Sequence, residues 1–136
     1  IAGSIASPTG QDTRMTGSGG NTLLLLRHAK SSWRDATLTD FERPLSGRGV
    51  RDGTGYGRRL VEELPRPDLV LCSPSRRTRD TLAFLIPELV DPRLVHFEEA
   101  LYQASASTLL HRIRETSADI RTLLVVGHNP GLTDLV

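Results

Sequence analysis

The sequence has little of what marks several broad classes of protein. Cys72 is the one cysteine in 136 residues, so no intrachain disulfide can form, and the paired-cysteine spacings of zinc sites are missing. A lone cysteine fits a reducing cytoplasm. Long apolar runs are absent as well: the longest, at 23–26 and 123–126, fall far short of the roughly 20 residues of a membrane-spanning helix. Nor is there an excess of either charge. The 17 Lys and Arg against 16 Asp and Glu leave a formal net charge of +1, so no bulk field draws the chain to nucleic acid or to an anionic membrane. Any anion recognition must be local, and Arg76, Arg77 and Arg79 form the one tight basic cluster.

What is present points to one domain. An apolar fraction of 38% over this length suffices for a single core. Residues 1–20, rich in Gly, Ser and Thr around Met15, read as a disordered or vector-derived leader with Met15 as the natural start. They offer neither the charged start nor the continuous apolar stretch of a signal peptide. The domain is expected over 21–136. Its last residues, from Leu132, stop inside a helix-like pattern, which predicts a further C-terminal piece.

Within the domain, apolar strands alternate with helices. Residues 22–26 are a continuous apolar run suited to a strand buried on both faces. Residues 46–64 read as a helix capped by Ser46, with Val50, Leu60, Val61 and Leu64 on its apolar side and Pro65 and Pro67 beyond its end. Gly49, Gly53, Gly55 and Gly57 predict an irregular first half. A second strand at 68–72 leads through Ser73 and Pro74 into a helix expected to reach Ile86, with Pro74 at its first position. A strand at 94–97, a helix at 105–117 capped by Ser105 or Ser107, a strand at 122–126 and a helix from Leu132 complete the pattern. This order predicts an α/β protein, a three-layer α/β/α sandwich around a mostly parallel sheet.

Three predicted strands run directly into polar turns: Arg27-His28 after the first, 73–77 after the second, and Gly127-His128-Asn129 after the last. Ligands bind outside the carboxyl ends of parallel strands, so the three turns should meet. Two histidines and two arginines there would suit a tetrahedral dianion, because each guanidinium offers a planar fork of donors. Neighbouring cations favour neutral imidazole, which is a nucleophile, and attack on phosphorus would give a phosphohistidine.

Leu-Leu-Leu-Leu-Arg27-His28-Ala29-Lys30-Ser31, Ser73-Pro-Ser-Arg-Arg77-Thr-Arg-Asp-Thr81 and Val-Val-Gly-His128-Asn-Pro resemble the three signature segments of the histidine phosphatase superfamily, the phosphoglycerate-mutase-like proteins. The short spacing between them and the segment Asp40-Phe-Glu-Arg-Pro-Leu45 are similar to the small SixA-type phosphohistidine phosphatases. The resemblance implies that His28 is the nucleophile, that Arg27 and Arg77 clamp the phosphoryl group, that His128 adds a donor, and that Ser31 places a hydroxyl nearby. The sequence has no histidine pair at helical metal spacing and no carboxylate cluster, so neither a metal nor a cofactor is expected. The substrate the resemblance implies is a phosphorylated protein or a small phosphate ester. Ala29 stands where the family motif usually has Gly. For a general acid the resemblance points to Glu99, before Tyr102, with Glu98 the alternative and no acid at all a third option. A phosphate-binding module without turnover and a small mutase are the rival functions. The resemblance does not indicate an oligomeric state.

Other candidates receive ordinary readings. His96 and His111 are expected to be ordinary surface or core residues, His111 on a polar helix, and Arg76 and Arg79 solvated or rim residues that point away from Arg77. Arg43 is open between bracing its loop and reaching an acidic partner. Cys72 followed by Ser, Pro and arginines invites comparison with the cysteine-dependent phosphatase loop, but the arginine of that loop would have to stand where Thr78 is. Cys72 therefore reads as core. Residues 17–20 are no P-loop, since no Gly-Lys-Ser/Thr follows.

Overall fold

The computed structural model describes residues 21–136 in full and the backbone at two earlier strands, Ala2–Ala6 (β1) and Thr13–Met15 (β2). Apart from those strands, the leader expected over 1–20 lies outside the described residues. The remaining elements are β3 (Thr22–Arg27), α1 (Gly47–Glu63), β4 (Leu69–Cys72), α2 (Arg76–Ala83), β5 (Val95–Phe97), α3 (Ala106–Arg114), β6 (Thr122–Gly127) and α4 (Gly131–Leu135). Short 3-10 turns occupy Asp40–Glu42, Pro92–Leu94 and Glu99–Leu101. No helix among the described residues is long and apolar enough to cross a membrane.

The strands form one sheet in the order β2-β1-β3-β6-β4-β5, parallel throughout except for the β1–β2 pair. Successive side chains of a strand point to opposite faces, and the core divides accordingly. Leu24, Leu26, Val70, Cys72, Leu124 and Val126 pack on one face against Tyr56 and Leu60 of α1 and Leu82 of α2. Leu23, Leu25, Leu71, Leu123 and Val125 pack on the other against Leu109 of α3 and Leu132 of α4. The expected three-layer α/β/α arrangement is the one observed.

Two helices differ from expectation. The four glycines do not loosen α1, which is regular from Gly47 and capped by Ser46 Oγ, 2.9 Å from the Gly49 amide. Three of them allow close packing: a Cβ at Gly49 would overlap the Lys30 carbonyl oxygen, one at Gly53 the Phe84 ring, and one at Gly57 would crowd Phe84, while Gly55 faces open space. Val50 is 46% exposed instead of apolar-facing, and Tyr56, which the sequence pattern did not single out, is in the core. The second helix starts later than predicted, at Arg76 with Ser75 before it, so Pro74 precedes the helix. The reason is that 73–75 serve another purpose. The buried Thr78 hydroxyl bonds back to the Ser73 and Ser75 carbonyls at 2.6 and 2.9 Å, which folds these residues into a tight turn.

Candidate active site

Strand register brings the polar turns together. Arg27 pairs with Gly127 and Cys72 with Val126, so the next residue of each strand, His28, His128 and Ser73, emerges at the same edge. The His28 amide donates to the Gly127 carbonyl at 3.2 Å and the Ser73 amide to the Val126 carbonyl at 3.0 Å, continuing the ladder into the site. The two imidazole centroids are 5.3 Å apart.

The His28 ring is held in one tautomer. Its Nδ1 lies 2.6 Å from the Ala29 carbonyl oxygen, which can only accept, so Nδ1 carries the proton and Nε2 presents a lone pair. Burial, with added repulsion from Arg77, Arg27 and Arg43, outweighs that hydrogen bond and holds the pKa down at about 4. Burial is the largest cause, ahead of the neighbouring cations that the sequence suggested. Ala29 is itself buried, and its amide donates to Thr81 Oγ1 at 2.8 Å, so α2 braces the loop that carries His28.

His128 is buried with Nε2 2.8 Å from Ser73 Oγ, and Nδ1 3.5 Å from Nη2 of Arg77. Burial, then the proximity of His28 and Arg77, holds its pKa down at about 3. Arg77 is 4% exposed. Its Nη1 donates to the Asp40 carbonyl oxygen at 2.6 Å and its Nη2 to Asp40 Oδ2 at 2.9 Å.

Asp40 is the member of this group that sequence reasoning missed as a site residue. Besides Arg77, its carboxylate accepts from Arg43 at 2.7 Å, from Gln103 at 3.0 Å and from the Tyr102 hydroxyl. Burial pushes its carboxyl up, but the bonds from Tyr102, Arg77 and Arg43 win and hold it at about 2. Burial, followed by the same contact with Asp40, pushes the Tyr102 phenol up. Tyr102 also stands edge-on to His128, with ring centroids 5.5 Å apart. The signal in the sequence was the segment 40–45, noted as a resemblance only.

The other candidates separate cleanly. Arg27 is exposed at the end of β3 and acts on His28 through its charge. Ser31 Oγ accepts from Arg43 Nη2. Arg43, buried, braces its loop and reaches an acidic partner at once: it bonds Ser31, the Ser32 carbonyl and Asp40, with its guanidinium 3.2 Å from the centroid of the exposed Trp33 ring. Glu98 forms a two-pronged ion pair with Arg112 at 2.7 and 2.8 Å, whereas Glu99 is exposed at the head of its 3-10 turn. Arg76 is exposed beside Asp80 at 3.8 Å, Arg79, His96 and His111 are exposed, and Cys72 is core, its thiol pushed up to about 12 by burial.

Comparison with known proteins places the chain among relatives of one family. The model of the histidine phosphatase superfamily (branch 1) matches residues 23–109, a span that includes Arg27, His28 and Arg77. An uncharacterised protein of Mycobacterium tuberculosis is 39% identical over 105 residues, covering 77% of this chain and 63% of its own. A solved structure of a candidate phosphohistidine phosphatase SixA from Nakamurella superposes with TM-score 0.71 at 36% identity, covering 82% of this chain and 61% of that one. The candidate SixA of Agrobacterium tumefaciens gives TM-score 0.75 at 28% identity, covering 83% and 72%. The chain thus spans somewhat under two thirds of the first two relatives. On these matches, the chain belongs to the histidine phosphatase superfamily, branch 1, and is SixA-like.

Proposed function

We propose that the chain is a metal-independent phosphatase that hydrolyses a protein phosphohistidine or a phosphomonoester through a phospho-His28 intermediate. The observation that carries this reading is the His28 ring, whose Nδ1 is tied to the Ala29 carbonyl while Nε2 holds a lone pair beside His128 and the Arg77 guanidinium. The Nε2 lone pair forms a bond to phosphorus, and the bond from phosphorus to the leaving nitrogen or oxygen breaks with its electron pair, the leaving atom taking up a proton. Water then attacks the phosphohistidine, the P–N bond breaks towards Nε2, and inorganic phosphate leaves. Arg27, Arg77, His128 and Ser31 supply donors to the phosphoryl oxygens. His128 donates from Nδ1 when the Ser73 hydroxyl donates to Nε2 and Arg77 Nη2, 3.5 Å away, no longer donates to Nδ1. Arginines provide the charge stabilisation that a metal supplies elsewhere. Two similar structures described as candidate phosphohistidine phosphatases favour phosphohistidine as the substrate class.

With Glu98 committed to Arg112, Glu99 is the carboxylate of its segment that we assign as proton donor to an alkoxide leaving group. The test compares wild type, His28→Ala and Glu99→Gln on alkyl phosphate, aryl phosphate and phosphohistidine in EDTA. His28→Ala should remove turnover of all three. Glu99→Gln should slow alkyl phosphate by about 10²-fold or more and spare the other two, whose leaving groups need little protonation. Binding without turnover in wild type would make the chain a phosphate-binding module, and loss in EDTA restored by a divalent ion would refute metal independence.

A further inference from the structure

Resting on that reading, we propose that Asp40 is the positioning residue of the site: its carboxylate and main-chain carbonyl set the plane of the Arg77 guanidinium, and Tyr102 and Gln103 hold that carboxylate in place. The bonds come from distant parts of the chain. Arg77 is 37 residues away and spends Nη1 on the Asp40 carbonyl and Nη2 on Oδ2. Tyr102 and Gln103, 62 and 63 residues away, both donate to the same Oδ2. With these two nitrogens anchored, the guanidinium cannot swing about its side chain, and its remaining hydrogens are presented in one fixed plane.

Two features distinguish this from an ordinary ion pair. First, a carboxylate beside a phosphate site opposes the ligand by like charge. Arg43, bonded to Oδ1 at 2.7 Å, balances that charge and leaves the charge of Arg77 for the ligand. The arrangement therefore favours geometry over raw anion affinity. Second, Gln103 has φ of +50°, the one positive value at a non-glycine among the described residues. A side chain at such φ is uncommon and unfavourable, yet Gln103 adopts it while donating its amide to Asp40. Glycine would suit that backbone better but could not donate.

The experiment is a double-mutant cycle in the full chain. Asp40→Asn should lower kcat on an aryl phosphate by about 10- to 100-fold, while inorganic phosphate inhibits as well as before or better, because a negative charge has gone. Vanadate, which imitates the transferring phosphoryl group, should bind more weakly. In an Arg77→Lys background Asp40→Asn should change kcat by less than about threefold, since Asp40 acts through Arg77. Gln103→Gly should lower kcat severalfold while its melting temperature holds or rises. Additive losses in the cycle, or joint loss of phosphate binding, turnover and melting temperature in both Asp40→Asn and Gln103→Gly, would overturn the assignment. If Asp40→Asn fails to fold, Tyr102→Phe and Gln103→Gly carry the same cycle. If wild type shows no turnover, the phosphatase reading fails separately, and vanadate affinity measured by calorimetry through the cycle still decides the role of Asp40.

Discussion

His28 shows how a residue common at protein surfaces becomes a base that works in acid. The imidazole titrates at 6.5 when unperturbed and at about 4 here, chiefly through burial. Neutral imidazole is the attacking form, so activity on the His28 limb is nearly complete one pH unit above that value, is half lost at about 4 and disappears below it. We expect kcat/KM, corrected for ionisation of the substrate, to stay level from about pH 7 to pH 5 and to fall with a midpoint near 4; a midpoint near 6.5 would mean that His28 is solvated in the working enzyme. Arg77 and Arg76 make a second comparison. Arg77→Lys keeps the charge but loses the planar fork, for an expected loss of at least about 10²-fold in kcat/KM, whereas Arg76→Lys, altering only an exposed pair with Asp80, should be nearly silent. The reverse result would place the clamp one residue earlier. At this scale His28, Arg77 and His128 were legible because each follows a buried strand at a short fixed distance. Asp40 was not, because its partners Arg77, Tyr102 and Gln103 lie far from it in sequence and no spacing rule connects them.

Among the elements, α1 and the loop after β3 behave as one unit. Lys30, two residues past His28, accepts from the Ser46 amide at 2.8 Å through its carbonyl, and the same carbonyl occupies the space where a Cβ of Gly49 would stand. Gly49→Ala should therefore destabilise the chain by about 1–3 kcal/mol as an overpacking change and reduce activity by shifting the His28 loop. Gly55→Ala, facing open space in the same helix, should stabilise by about 0.5–1 kcal/mol. Urea unfolding of both variants checks this; equal effects would show that the glycines of α1 share one structural role. The sequence displayed the helix and its Ser46 cap through local pattern, but glycines that soften a helix and glycines that let a backbone approach look alike until the neighbour is known. The late start of α2 has a similar cause, since Thr78 uses its hydroxyl on the Ser73 and Ser75 carbonyls and no propensity reveals that choice.

For the molecule as a whole, the alternation of apolar strands and helices was enough to indicate the layered fold, because strands buried on both faces read as continuous apolar runs. Strand order was not legible: β6, last in sequence, inserts between β3 and β4, and that insertion sets His128 between His28 and Ser73. A chain of net charge +1 thereby gathers a cationic site at one sheet edge.

The most direct test of the account is to identify the phosphorylated atom. Wild type mixed with labelled substrate, quenched rapidly in alkali to preserve phosphohistidine, digested and sequenced by mass spectrometry should carry the label on His28. Because Nδ1 is held by the Ala29 carbonyl, the isomer should be the Nε2-phosphohistidine. Label on another residue, on Nδ1 of His28, or on no residue while pre-steady-state kinetics with excess substrate show a burst of leaving group would contradict the mechanism.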